Sequence, residues 1–391
     1  MKQNPIPYSR QSIDQDDIDT VCAVLRSRWL TTGPAVEQFE KSIARTVECN
    51  HGVAFSSGTA ALHGMMSVAN IQPGDEVIVP AITFVASGNA VLFMGGTPVF
   101  ADVLPSTLLI DPADVQAKIN QNTKAILAVD YAGQPCDYPA LRRIADQHQL
   151  LLLSDSSHSL GATLAQKPVA AHADMTAYSF HPVKPITTGE GGMVATDDSH
   201  WDQALRRFRG HGINVDFRQR AEKLDWRYEM ESLGFNYRMC DLQAALGTSQ
   251  LRKLDSWLVA RQEIADRYRN LFKKLVDQVQ PLQIVENSTH AYHLFVVRWR
   301  SEKTMYNRDW LFQQLRNVGI GVNVHYEPIY RHPYYQKSVP TARHASCPVA
   351  EAAIDEILSL PIFPGMANSQ VDFVVDSISR CMEHSQMTRV A

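Results

Sequence analysis

The stretch 178–193, Tyr-Ser-Phe-His-Pro-Val-Lys-Pro-Ile-Thr-Thr-Gly-Glu-Gly-Gly-Met, isolates one lysine between turn residues. Pro182 and Pro185 each fix a backbone dihedral and lack an amide donor, so Lys184 cannot sit inside a regular helix and rides on a held loop. Gly189, Gly191 and Gly192 let the chain turn tightly and pass close to a bound group. An amine held in this way can form an imine with a carbonyl, provided its neighbours disfavour the ammonium form. The same residues also suit a surface turn without chemistry. Other reactive groups follow short apolar runs. Ser56-Ser57-Gly58-Thr59-Ala60-Ala61-Leu62 passes from such a run through glycine into an alanine-rich helix. Free amides and the dipole at that helix start, with the hydroxyls of Ser57 and Thr59, suit a phosphate dianion, although a helix cap without a ligand has the same form. Asp155 leaves the run 151–153, where a carboxylate needs a nearby cation unless it only caps a helix. Phe84 offers a face on which a flat ring could stack, or a core side chain, and His325 with Tyr326 ends the run 321–324.

The elements that must position these groups are legible in the apolar rhythm. Runs at 53–55, 76–79, 98–101, 125–129 and 150–153 alternate with helical stretches, as in βα units whose strands are buried on both faces of a mostly parallel sheet. Ligands of such sheets bind outside the carboxyl ends of the strands. Strands at 176–180 and 192–196 flank the lysine loop, and a helix near 201–209 follows. At the start, Ser12-Ile13-Asp14-Gln15 has capping-box form and predicts a helix over 14–27, ended by Thr31-Thr32-Gly33-Pro34. Residues 210–232, including Glu222 and Lys223, read as a polar irregular stretch. From Asp241 a long helical pattern leads into a smaller α/β unit, with strands at 293–297 and 322–324, helices at 309–318, 350–358 and 369–379, and a frayed end at 386–391. The expected fold class is α/β, a mostly parallel central sheet sandwiched by helices in a large domain (1–250) plus a smaller C-terminal α/β domain (251–391).

Composition narrows the classes. The chain has 391 residues, 45% hydrophobic and 20% charged, with a formal net charge of -4 and no dense basic run, which argues against nucleic-acid or anionic-membrane partners. No apolar run is long enough to span a bilayer, so a cytoplasmic enzyme is expected. The six cysteines form no Cys-x-x-Cys pair and read as free thiols, and no metal site is expected. No Gly-Lys-Ser/Thr loop for a nucleoside triphosphate occurs.

Ser-Phe-His-Pro-x-Lys-x-Ile-Thr-Thr-Gly-Glu-Gly-Gly resembles the lysine segment of the DegT-type (DegT/DnrJ) sugar-nucleotide aminotransferases, pyridoxal-phosphate (PLP) enzymes of fold type I, the aspartate-aminotransferase fold. Family-like stretches recur in order from Ile6-Pro7-Tyr8-Ser9 to Ser359-Leu360-Pro361. The resemblance implies PLP as cofactor, in its pyridoxamine (PMP) form during turnover, with Lys184 as the catalytic lysine. It implies Gly58, Thr59, Ala60 and Ser179 around the cofactor phosphate, Phe84 against the ring, Asp155 at the ring nitrogen and His158 near the ring hydroxyl. The stretch 233–239 resembles a family segment whose asparagine reaches the neighbouring subunit's cofactor phosphate, with an arginine close by, so Asn236 and Arg238 imply an obligate homodimer with shared active sites. Tyr8, Thr31, Thr32, Arg238, His325 and Tyr326 match positions bordering the sugar-nucleotide site. Within the family, 181–186 and 324–330 most resemble the 4-aminotransferases of pseudaminic acid synthesis. That implies UDP-4-keto-6-deoxy-N-acetyl-L-altrosamine as acceptor and L-glutamate as donor. A different keto sugar nucleotide, such as UDP-4-keto-6-deoxy-D-GlcNAc or dTDP-4-keto-6-deoxyglucose, and an inactive regulatory relative are the alternatives. Lysine rather than histidine at 184 argues against a sugar dehydratase. Ser156-Ser157 departs from the Ala-Ala of many relatives and leaves the cofactor expectation intact.

Overall fold

The computed structural model describes residues 5–390 apart from 216, 217, 219, 221–223, 276 and 305, with backbone only for 383–390. Glu222 and Lys223 therefore lie outside the described residues. The first helix, α1 (Gln15–Leu25), starts later and ends earlier than the sequence predicts. Its capping box pairs Asp14 with Asp17 rather than starting at Ser12. Two aspartates three apart supply both halves of the motif, while the Ser12 carbonyl is taken by Gln250 Nε2 at 2.9 Å. Thr31-Thr32-Gly33-Pro34 does not close this helix but opens a second one, α2 (Pro34–Thr46). The cap comes from far along the chain: Asp241 accepts hydrogen bonds from the amides of Gly33 (2.8 Å) and Ala35 (3.0 Å).

Seven strands form the main sheet: β1 (His51–Phe55), β2 (Glu76–Pro80), β3 (Thr97–Ala101), β4 (Thr123–Val129), β5 (Leu151–Asp155), β6 (Met175–Ser179) and β7 (Gly192–Thr196). Their spatial order is β1-β7-β6-β5-β4-β2-β3, and only β7 runs against its neighbours. β1 and β4–β7 are almost wholly buried, which is why they read as continuous apolar runs. Because six strands point the same way, the residues after Phe55, Pro80, Asp155 and Ser179 emerge along one edge. Helix α3 (Gly58–Val68) follows β1 and helix α4 (Val85–Phe93) follows β2.

A second, antiparallel sheet orders β8 (Val279–Pro281), β9 (Phe295–Trp299) and β10 (Ile357–Leu360). The long helical pattern from Asp241 divides into Asp241–Leu251 and Leu254–Phe272. The expected strand at 322–324 is a single bridge, Asn323 to Ser359, because the Asn323 side chain accepts the next amide, Val324 N, at 2.9 Å and turns the chain away. The expected helix at 350–358 stops at Ile354, and Ile357–Leu360 becomes β10. The last helix, Asn368–Val390, runs through the backbone of residues 386–390 expected to fray. Ile6 packs in the same apolar cluster as Trp299, Leu358 and Val374, and its backbone pairs with Ile320 and Gly321. This anchors Tyr8 beside the second sheet. No described helix is long and apolar enough to cross a membrane.

Candidate active site

The sheet edge where the parallel strands end opens into a cavity of about 510 Å³. Its floor begins at α3. Ser57 caps this helix by accepting Ala60 N at 3.1 Å, leaving the first-turn amides beside the hydroxyls of Thr59 and Ser179. Glycine is required at two points of this cradle. A Cβ on Gly58 would lie 2.8 Å from Ser179 Cβ, and one on Gly192 would lie 2.3 Å from the Ser57 carbonyl oxygen. The cradle is thus shaped by backbone approach and offers hydroxyl and amide donors, the donor set a phosphate needs.

Asp155, the last residue of β5, is 5% exposed. One carboxylate oxygen accepts from Ser87 Oγ (2.7 Å) and the other from Ser157 Oγ (2.6 Å) and Ser157 N (3.2 Å). Thr83 and Ser87 hydroxyls lie 2.8 Å apart behind it, so the charge is oriented by donors without being neutralised. Phe84, the residue before α4, stands 53% exposed at the cavity wall, with its ring centroid 5.8 Å from that of Tyr326.

Lys184 lies on the loop between β6 and β7. The loop is closed by Phe180 N to Gly191 O (2.9 Å), Thr188 N to Phe180 O (3.0 Å) and Lys184 N to His181 O (2.9 Å). The amine is half-buried, and burial pulls its pKa down from 10.5 to about 8 against the opposing pull of Asp155. Near-neutral solutions therefore hold a useful fraction of free amine. His325 accepts or donates at Nδ1 with Ser359 Oγ (2.8 Å), and burial, with nearby Lys184, lowers its pKa to about 4. His158 and His293 are held well below the ordinary histidine range, first by burial. All three rings are neutral at pH 7. His158 and His293 rings are 4.3 Å apart, and the buried Nδ1 atom of each has no partner among the described residues. Two unsatisfied imidazole nitrogens beside an anion cradle, an oriented carboxylate and an amine fit a polar, planar, phosphorylated guest.

The structure brings Tyr8, Gly58, Thr59, Phe84, Asp155, His158, Ser179, Lys184, His325 and Tyr326 to this one cavity. Ala60 lies buried in the first turn of α3 without lining it. Thr31, Thr32, Asn236 and Arg238 lie elsewhere. Thr31 pairs with Cys240, Asn236 is exposed and pairs with Gly210, and Thr32 and Arg238 line a separate cavity of about 390 Å³ beside Arg206 and Arg209. Sequence reasoning missed Ser87, His293 and Asn323. Ser87 carried a signal, since it occupies the first turn of α4 after Phe84; His293 and Asn323 arrive through long-range packing and had none.

A profile of the DegT/DnrJ/EryC1/StrS aminotransferase family matches residues 11–379. The chain belongs to this family. It is 38% identical over 375 residues to the spore coat polysaccharide biosynthesis protein SpsC of Bacillus subtilis, covering 95% of this chain and 96% of that one. Its fold superposes on PseC of Helicobacter pylori, an aminotransferase of pseudaminic acid biosynthesis, with TM-score 0.90 at 32% identity, over 97% of this chain and 100% of the other. A Streptococcus pneumoniae protein in its PLP form matches with TM-score 0.90 at 30% identity, over 97% and 99%. The family member described here is a PLP-dependent sugar aminotransferase of the α/β type, and the cavity at the sheet edge fits its cofactor.

Proposed function

We propose that this enzyme moves an amino group from L-glutamate to the C4 ketone of UDP-4-keto-6-deoxy-N-acetyl-L-altrosamine. The observation that carries the reading is the placing of Lys184, with its lowered pKa, in one cavity with Asp155, His325 and Tyr326. When bound, pyridoxal phosphate supplies a carbonyl for Lys184 and an electron sink for the carbon being deprotonated. The amides of α3 with Ser57, Thr59 and Ser179 would hold its phosphate, Phe84 would cover a ring face, Asp155 would face the ring nitrogen, and His158 would neighbour the ring hydroxyl. Lys184 Nζ takes a proton from the donor α-carbon and delivers one to C4 of the sugar. Tyr8, His325 and Tyr326 line the side from which a sugar enters.

Asn236, Arg238, Thr31 and Thr32 serve a second copy in this proposal. Two features support a homodimer: Arg238, in the separate cavity with Thr32, has no ion pair among the described residues, and Ile18 (47%), Leu25 (57%) and Leu30 (50%) leave an apolar face open around α1. The higher identity to SpsC favours a second reading, a different keto sugar nucleotide with the same cofactor chemistry. Mass spectrometry of products from glutamate with the L-altro UDP sugar and, separately, its D-gluco-type epimer tests both. Amination of the first alone supports the proposed acceptor; amination of the second alone replaces it.

A further inference from the structure

Asp130 follows β4 and is wholly buried, yet it neither lines the cavity nor meets a cation among the described residues. One carboxylate oxygen accepts from Ser156 Oγ (2.8 Å) and Ser159 Oγ (2.6 Å), the other from Tyr138 Oη (2.9 Å) and Cys136 N (3.0 Å). Ser154 Oγ closes the ring, 2.8 Å from Ser156 Oγ and 2.6 Å from Tyr138 Oη. Asp130 N donates to the Asp155 carbonyl at 3.2 Å. The carboxylate thus grips the turn 156–159 at both ends, with His158 between the two gripped serines and Asp155 just before them.

The residues after Asp130 reach the other two histidines. Tyr131 Oη donates to the His325 carbonyl. Gly133, at φ +108°, sits so close that a Cβ there would lie 2.9 Å from His158 O and 3.0 Å from His293 N. Ala132 O and Gly133 O accept the amides of Leu294 (3.1 Å) and Ala291 (2.8 Å), on either side of His293. Burial raises the Asp130 pKa to about 6 despite four donors, so keeping this charge works against stability. A group retained against such a penalty, at the junction of the site's histidines, has its use in geometry.

We propose that Asp130 is a positioning residue of the active site: through Ser156 and Ser159 its carboxylate holds the turn that sets Asp155 and His158 against the cofactor ring, and the chain that follows it fixes His293 and His325 in the wall of the same cavity. Asp155 orientation governs how strongly the ring nitrogen keeps its proton, and so the titration of everything conjugated to it. The test is the pH titration of the bound cofactor's visible absorption, with the cofactor dissociation constant, in the Asp130→Asn holoenzyme. Neither reading needs a sugar, so the outcome is independent of the acceptor proposed above. The expected result is a titration midpoint moved by about half a pH unit or more and cofactor binding weakened by about tenfold. An unchanged midpoint overturns the proposal, even if the melting temperature falls. Should Asp130→Asn not fold, Ser159→Ala removes a single donor; a smaller shift in the same direction supports the proposal, and an unchanged midpoint overturns it.

Discussion

Tyr326 Oη lies 3.3 Å from Nε2 of His158, so the connection before β10 touches the turn after β5 inside the cofactor cavity. This contact joins two parts of the chain 168 residues apart and gives His158 Nε2 a polar partner in the cavity wall, while Nδ1 has none among the described residues. Tyr326→Phe keeps the ring packing against Phe84 but removes the hydroxyl. A neutral hydrogen bond contributes on the order of 1 kcal/mol, so cofactor affinity should fall roughly two- to tenfold, read by absorbance titration of the cofactor-free protein.

Lys184→Ala should retain the fold, because the loop is closed by backbone bonds and by Thr187 rather than by the amine. The variant should bind the cofactor without its usual visible band and lose activity by on the order of 10³-fold or more. A fully active Lys184→Ala enzyme would remove the lysine from the mechanism.

The lowered pKa of Lys184 sets a direction for pH. The reactive species is the free amine, which dominates above about 8 and is lost to protonation below it. Uptake of PLP by cofactor-free enzyme should therefore accelerate as pH rises, with a midpoint near 8 rather than near the ordinary lysine value. Stopped-flow absorbance between pH 6 and 10, buffers chosen to keep ionic strength fixed, gives that midpoint. His325, with its pKa near 4, should contribute no titration in the same range.

Gly58→Ala tests the cradle. The added methyl would lie 2.8 Å from Ser179 Cβ and 3.0 Å from its Oγ, so Ser179 or the start of α3 must move. Crowding of this kind costs about 1–3 kcal/mol, and cofactor affinity should fall by about tenfold or more, measured by equilibrium dialysis. Thermal unfolding of the cofactor-free protein should change far less than that of the holoenzyme.

Ser359→Ala removes the partner that orients His325 from outside the cavity. With the acceptor sugar, KM should rise by roughly threefold to tenfold while the cofactor spectrum stays unchanged, because in the proposed function His325 borders the sugar. A change in the spectrum instead would place His325 on the cofactor side.

The sequence alone determined the parts that local rules control. Strands buried on both faces must be short continuous apolar runs, so β1 to β7 and the one-edge location of Ser57, Asp155 and Ser179 were legible, as was the lysine loop between two prolines. Helix limits and the second sheet were not, because distant groups decide them. Asp241 caps α2 from more than 200 residues away, and Ile357–Leu360 is a strand because β9 pairs with it. Helical and buried-strand patterns are alike over so few residues. Tertiary structure alone decided which polar groups meet. Ser87 turning onto Asp155, His293 packing its ring at a tilt against His158, and Asp130 gathering Ser156, Ser159 and Tyr138 all depend on chain segments brought together by the sheet, and no spacing in the sequence encodes such distances.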